Sequence, residues 1–341
     1  MTRVLVTGGA GFIGAHLVGA LVRRGVAVRV LDDFSTGRLA NLASVLGRDL
    51  PAPAPGRPVR ADGLEVLWGD VCDLQACRQA CADTEVVFHL AAMRSVPRSV
   101  DDPAGAHEVN ATGTLHVLRA AQDAGVRRVV YASSSSVYGD DPALPKREDQ
   151  LPAPVSPYAA SKLAGEAYCR VFARTYGLST VSLRYFNVFG PLQDPASQYA
   201  AVIPRFIAWT LAGQPLEVHG DGLQSRDFTY VDNVVDATLL AATAPDLQGE
   251  AINVACGQRR TLLEVAEAIA QAAGRQVPRR HTPPRRGDVR HTLADLTRAR
   301  ERLGYVPRVE FAEGIARTVA YFAQHLASQG TDAPARAGEQ P

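Results

Sequence analysis

Residues 156–166 read SPYAASKLAGE, with Tyr158 and Lys162 four positions apart behind Pro157. Ser156 suits a helix N-cap and proline suits the first helical position, so the spacing predicts a helix whose first turns carry the phenol and the amine on one face. A nearby ammonium favours the phenolate, so Lys162 is expected to draw the acidity of Tyr158 from its reference of roughly 10 toward working pH, making the phenol a proton acceptor. The same pair also fits a solvated surface helix, and the rest of the chain must decide between the two.

The elements that could position this pair begin at the amino terminus. VLVTGGAGFIGAHLVGALVRRG joins an apolar strand to a helix through Gly8, Gly9, Gly11 and Gly14. Such glycines let the backbone approach a pyrophosphate, which rests on the N–H groups and positive end of the following helix. Gly8, Gly11, Phe12, Ile13 and Gly14 are therefore candidate cofactor contacts. Asp32 closes VRVLDDF 18 residues after Gly14, where a carboxylate can bind an adenosine ribose and repel a 2'-phosphate, favouring NAD over NADP. Asp70 in WGDVCD is either an adenine contact or a loop cap.

Apolar β-branched runs recur with helical stretches between them: RVLVTG, AVRVLD, LEVLWG, VVFHLAA, RRVVYASS and STVSLRYFN. They predict an α/β fold, a Rossmann-type doubly wound parallel sheet, with a smaller carboxy-terminal substrate domain. PAPAPGRP at 51–58 reads as a surface insertion before the third strand, since its prolines fit neither ladder nor helix interior. A helix is expected from Ile203 to Ala212, a strand near PLEVHG, and further helices after Thr261. The expected division is 1–186 with 229–256 for the nucleotide domain and 187–228 with 257–327 for the substrate domain, and 328–341 reads as a disordered tail.

Thirty-six Lys and Arg against 35 Asp and Glu give no field for nucleic acid or an anionic membrane, which points to small-molecule chemistry. The five cysteines are odd in number and lack C-x-x-C spacing, so they read as reduced packing residues, with no metal site expected. MTRVLVTGG runs straight into a strand and no apolar run reaches spanning length, so a cytoplasmic protein is expected.

With TGGAGFIG first, then ASSSSVYG and SPYAASK, the chain resembles the extended short-chain dehydrogenase/reductases, in particular the NAD-dependent epimerase/dehydratase family, over roughly residues 1–320. The resemblance implies NAD in the first domain and a nucleotide sugar in the second. It makes Ser134, Tyr158 and Lys162 a catalytic triad. Ser134 would bond the reacting sugar hydroxyl, Tyr158 would remove its proton, and Lys162 would also bond the nicotinamide ribose. It adds Asn110 in NATGT, with Leu90 and Ala91 of HLAA, as cofactor contacts. His89 reads as a core histidine. A non-catalytic NAD-sensing protein is the contrasting class, but such proteins commonly lose the tyrosine kept here.

Family members that resemble 4,6-dehydratases carry an Asp-Glu pair where this chain has Ser135 and Ser136, and hydroxyls cannot supply that acid and base chemistry. Decarboxylases typically carry Glu at the place of Ser136. What remains is a UDP-sugar 4-epimerase with a transient 4-keto sugar. RYFNVFGPLQDPASQYAAVIP is similar to the stretch lining the sugar diphosphate in bacterial epimerases of UDP-N-acetylhexosamines, with Asn187 and Ala201 as substrate contacts. Glucuronate 4-epimerases usually have threonine where Asn187 stands. Arg226 and Arg285 match diphosphate-gripping arginines, Asp288 matches a nucleotide ribose contact, and the resemblance makes Ser95, Ser134, Ser135 and Ser136 contacts of the sugar. Thr292 stands where hexose-restricted epimerases often have tyrosine, so UDP-GlcNAc and UDP-GalNAc are expected substrates, with UDP-Glc and UDP-Gal possible. Arg94 departs from relatives and is either an outward loop cation or a binder of a carboxylate, which keeps a UDP-glucuronate epimerase or decarboxylase as the alternative. Relatives commonly form homodimers through the helix bearing Tyr158 and the one starting near Thr112. Ala159, Leu163 and Ala167 suit that contact or an internal core. A place in polysaccharide biosynthesis accompanies the resemblance.

Overall fold

The computed structural model describes residues 3–51, 54, 56–195, 201–283 and 289–329, the last four by backbone alone. The expected runs form strands β1 (Arg3–Thr7), β2 (Ala27–Asp32), β4 (Leu64–Trp68), β5 (Thr84–His89), β6 (Arg128–Ser134) and β7 (Ser179–Tyr185), with β3 (Val59–Ala61) added beside β4. The helices between them are α1 (Phe12–Arg23), α2 (Leu39–Leu46), α3 (Leu74–Cys81), α4 (Val96–Asp101), α5 (Pro103–His107), α6 (Gly113–Asp123) and α7 (Pro157–Tyr176). The sheet runs from the strand Ala251–Val254 through β7, β6, β5, β1, β2 and β4 to β3. All neighbours are parallel except β3 and β4.

Val and Leu of the central strands are almost wholly buried, as a sheet covered on both faces requires. Because strand order reverses at β1, between β5 and β2, the carboxyl ends of these strands open a crevice where such folds bind ligands. β3 was not foreseen. It pairs through Val59–Val66, Arg60–Glu65 and Ala61–Leu64, a ladder too short to show a periodic signal, and turns at Gly63 with φ 72°. Of the insertion before it, residues 52, 53 and 55 lie outside the described residues.

The chain divides into two compact units, 1–188 with 225–260 and 289–309, and 189–224 with 261–288 and 310–341. Residues 289–309, read from sequence as part of the second domain, lie in the first unit. Buried polar groups hold them there. Tyr305 Oη donates to Ala255 O at 2.9 Å, and the Asn233 side-chain oxygen accepts from Arg308 and Val309 N–H, both at 2.9 Å. The second unit contains the helix Val202–Ala212, close to the expected span, and the parallel strands Leu216–His219 and Arg279–Thr282. Its helix Leu262–Ala273 starts with a capping box between Thr261 and Glu264, and Phe311–Gln329 is its last helix. Of the expected tail, 328 and 329 belong to that helix and 330–341 lie outside the described residues.

Ala159 is 1% exposed and Leu163 packs against the buried cluster that contains Val137, Tyr138 and Phe186, so both serve the internal core, whereas Ala167, Tyr168 and Val171 of α7 are exposed. All five cysteines are unpaired, as expected, and burial pushes Cys77, Cys81 and Cys169 up to about 12. Among the described residues, no helix is long and apolar enough to cross a membrane.

Candidate active site

Helix α7 starts as its sequence dictates. Ser156 Oγ accepts from Ala159 N–H at 3.2 Å, Pro157 occupies the first position, and Gly177 ends the helix with φ 72°. The helix lies on the carboxyl end of β6, and consecutive strand residues each engage a different side chain of α7. Lys162 Nζ donates to Ala132 O at 2.9 Å, Ser133 Oγ donates to Glu166 Oε1 at 2.5 Å, and the Ser134 hydroxyl acts on the Tyr158 phenol, favouring its ionised form. Ser134, Tyr158 and Lys162 are thus brought together.

The electrostatics differ from the sequence expectation. Burial raises the Tyr158 phenol above its ordinary value. The groups that oppose this are the Ser134 hydroxyl and the charge of Arg94, not Lys162. Lys162 is only 2% exposed, and desolvation pushes it down to about 7, with Cys169 and Glu166 acting in the opposite direction. An ammonium so buried and turned to a carbonyl and the Tyr131 ring, 5.0 Å away, has little left for the phenol. Arg94 is exposed, yet its charge reaches Tyr158.

A second group of contacts fixes the opposite side of Tyr158. Its backbone N–H donates to Ser99 Oγ at 3.0 Å, tying α7 to α4. Asn110, expected as a cofactor contact, is fully buried. Its oxygen accepts from Met93 N–H at 2.8 Å, and its amide donates to Met93 O at 3.1 Å and Ser161 Oγ at 3.0 Å. It clamps the 93–99 segment to α7, from a π-helical turn at Glu108–Thr112. Ser95 within that segment has φ 94° and ψ 117°, a conformation rare outside glycine, and caps α4 by accepting from Arg98 N–H at 3.4 Å.

His89 is a core residue, as expected. Burial pushes it down to about 3, followed by the effect of Lys162. Thr114 Oγ1 donates to Asn110 O at 2.6 Å, so it accepts from His89 Nε2 at 2.9 Å; Nδ1 then accepts from Thr7 Oγ1 at 2.7 Å, which accepts from Ala91 N–H at 3.3 Å. The chain of donors fixes the imidazole proton on Nε2.

The glycine turn fits a dinucleotide. Gly8 has φ 68°, and a Cβ there would lie 2.7 Å from Ala91 N. A Cβ at Gly14 would lie 2.1 Å from Gly8 O. Helix α1 opens at Phe12 with no side chain capping its first turn, which leaves Phe12, Ile13 and Gly14 N–H groups for an anion. Asp32, 6% exposed, accepts from Ala10 N–H at 2.8 Å and Phe34 N–H at 2.9 Å, one bond per oxygen, so each retains a lone pair. Asp70 Oδ1 accepts from Cys72 N–H at 2.9 Å, the loop-cap geometry. Leu90 and Ala91 are half-buried just beyond β5.

Beyond β7, Asn187 adopts φ 37° and its Nδ2 donates to Asp227 O at 3.1 Å and Thr292 Oγ1 at 3.3 Å. Thr292 is therefore pinned beside Asn187. Its neighbour Asp227 is fully buried, held up to about 6 by desolvation against backbone hydrogen bonds, and accepts from Cys256, Gly257 and Ala294 N–H. Arg226 Nη1 donates to Ser225 O at 3.0 Å and Arg290 O at 3.2 Å. Ser134 Oγ donates to Ser136 Oγ at 3.1 Å, with Ser135 opening the short helix between β6 and the loop. Ala201 is exposed at the start of its helix. Arg285 and Asp288 lie outside the described residues. Sequence reading missed Ser99, Ser161, Asp227 and the Glu166–Arg184 pair, whose single polar residues leave no spacing signal.

A Rossmann-type sheet, an open glycine turn and a Ser-Tyr-Lys set at the strand ends agree with the family comparison: the chain belongs to the NAD-dependent epimerase/dehydratase family, whose model matches residues 4–255. It is 43% identical over 322 residues to a UDP-glucose 4-epimerase of Mycolicibacterium smegmatis, covering 94% of this chain and 98% of that one. Among solved structures it is similar to the UDP-N-acetylglucosamine 4-epimerase from Methanobrevibacter ruminantium in complex with UDP-N-acetylmuramic acid, with TM-score 0.87, 36% identity and coverage of 95% and 99%. It is also similar to a mutant UDP-glucuronic acid 4-epimerase from Bacillus cereus in complex with a fluorinated UDP-glucuronic acid and NAD. There the TM-score is 0.84, the identity 30%, and the coverage 95% and 100%.

Proposed function

We propose that this protein is an NAD-dependent 4-epimerase of UDP-sugars that acts on UDP-GlcNAc and UDP-GalNAc, with plain UDP-hexoses as further substrates. The observation that carries the reading is the gathering of Ser134, Tyr158 and Lys162 on one strand end and one helix, at the carboxyl edge that also holds the glycine turn. NAD, when bound, supplies a reversible acceptor for the hydride of the sugar carbon. Gly8, Gly11, Phe12, Ile13 and Gly14 would hold its pyrophosphate, Asp32 the adenosine ribose and Lys162 the nicotinamide ribose. Tyr158 takes the proton of the C4 hydroxyl and returns it, while Ser134 shares the hydrogen bond and fixes the hydroxyl's direction. Ser135 and Ser136 offer no carboxylate for dehydration, which favours epimerisation.

The pinned Thr292 supports the N-acetylhexosamine assignment, because a short side chain held by Asn187 leaves volume that tyrosine would fill. A uronic acid substrate is the second reading, favoured by the charge of Arg94 bearing on Tyr158. The exposed Ala167, Tyr168 and Val171 face of α7 suits a homodimer, and the five unpaired thiols suit a cytoplasmic enzyme. Incubation with UDP-GlcNAc, UDP-glucose and UDP-glucuronate separately, with the products resolved, tests the assignment. Conversion of UDP-GlcNAc to UDP-GalNAc is expected, lost in Tyr158→Phe. Reaction of the glucuronate alone would replace it with the second reading.

A further inference from the structure

We propose that Glu166, a residue outside the Ser-Tyr-Lys set, is the positioning residue that holds α7 in register on β6 and keeps Lys162 charged. The inference rests on the role of Lys162 given under the proposed function. Glu166 lies one helical turn beyond Lys162, on the same face. Its Oε1 accepts from Ser133 Oγ at 2.5 Å and Arg184 Nε at 2.9 Å, and its Oε2 accepts from Arg184 Nη2 at 2.7 Å. Both side chains of the pair are sealed, at 3% and 2% exposure.

Ser133 and Arg184 face each other across β6 and β7, so two adjacent strands grip one carboxylate of the catalytic helix. The residues flanking Ser133 are those that receive Lys162 and Tyr158. A one-residue slip of α7 would break all three contacts. Stability alone gives weak reason for such an arrangement, since a buried ion pair is often no better than apolar packing. Among the described residues Arg184 Nη1 has no hydrogen-bond partner, and the guanidinium carbon lies 4.7 Å from the centroid of the Tyr138 ring.

Two groups oppose the desolvation of Lys162, Cys169 first and Glu166 second, and of the two Glu166 is the carboxylate. Tyr131 of β6 and His89 of β5 are neutral, the latter held so by burial, and Cys169 of α7 is a thiol pushed up to about 12. Asn110, Ser161 and Ser99 are uncharged. Burial raises the Tyr158 phenol, against the Ser134 hydroxyl and the positive charge of Arg94. Arg184 pairs with the Glu166 carboxylate from the β7 side.

The test compares the wild type with Glu166→Gln, Glu166→Asp and the double variant Glu166→Gln/Arg184→Met. The double variant leaves no unpaired buried charge and so keeps the fold if the single variant does not. Circular dichroism and retained NAD establish folding, and turnover of UDP-GlcNAc is followed against pH. The high-pH limb of kcat should move down by about one pH unit in Glu166→Gln and in the double variant, with KM little changed, and stay in place in Glu166→Asp. A folded double variant with an unmoved limb overturns the inference. Tyr158→Phe separates the two levels: if it turns over sugars at full rate the site reading fails, and if it is inert while the limb stays fixed, only the role of Glu166 fails.

Discussion

Gly165 sits between Lys162 and Glu166, and replacing it with alanine sets two effects of opposite sign against each other. In an exposed helix interior the change would stabilise by about 1 kcal/mol. Here the new Cβ would lie 2.3 Å from Tyr131 Oη, 2.5 Å from Cζ and 2.8 Å from Cε1. Carbon contacts settle near ~3.5–4.0 Å, so relief demands a shift of roughly 1 Å. Tyr131 cannot supply it. Its side chain is fully buried and its ring stacks on His89 at 5.6 Å. Overpacking of this kind costs about 1–3 kcal/mol, so the balance is a destabilisation of up to about 2 kcal/mol.

The larger consequence is functional, because the element that must move carries Tyr158 and Lys162. A misplacement of about 1 Å at a reacting group can cost on the order of 100-fold in rate. Urea unfolding and product formation from UDP-GlcNAc measure the two effects separately. In a Tyr131→Ala background, the same Gly165→Ala change should cost almost nothing. A Gly165→Ala protein more stable than wild type, with normal turnover, would refute the claim that this close approach holds the catalytic helix in place.

Replacing His89 with asparagine should destabilise the protein most near neutral pH and less in acid. The folded imidazole resists protonation down to about 3, whereas the unfolded one takes a proton below 6.5, so its contribution is complete above 6.5 and falls with pH by about 1.4 kcal/mol per unit. Urea unfolding of both proteins across that window measures it, and a gap that widens in acid would contradict the sign. Asp227 works in reverse: raised by burial to about 6 from 3.8, it makes the fold less stable as pH rises across that interval, a slope that should disappear in an Asp227 variant that still folds. Thr292→Tyr should depress turnover of UDP-GlcNAc about 10-fold or more relative to UDP-glucose. Equal loss on both sugars in a product assay would remove Thr292 from specificity.

The strands and the glycine turn were legible because buried parallel strands read as continuous β-branched runs and the turn requires glycine at fixed places. The Tyr158–Lys162 helix was legible from its Ser-Pro start. The three-residue β3 lacked length for any period to appear. The sign at Tyr158 could not be read from a four-residue spacing, because it depends on how deeply α7 sinks between β6 and the 93–99 segment, which Gly165, Ser99 and Asn110 decide from far apart in the chain. Asn110 shows a similar limit: its position suggested a cofactor contact, and its side chain is committed to Met93 and Ser161 instead.

The directed run of donors through Thr7, His89 and Thr114 makes substitution there a matter of chemistry rather than size. Valine matches threonine in shape and would pass as harmless in any volume-based comparison, yet at either position it would strand one imidazole nitrogen in a dry interior. Serine, though smaller, would keep the current of protons pointing one way. Natural variants at these two sites should therefore exchange threonine for serine far more readily than for its apolar twin.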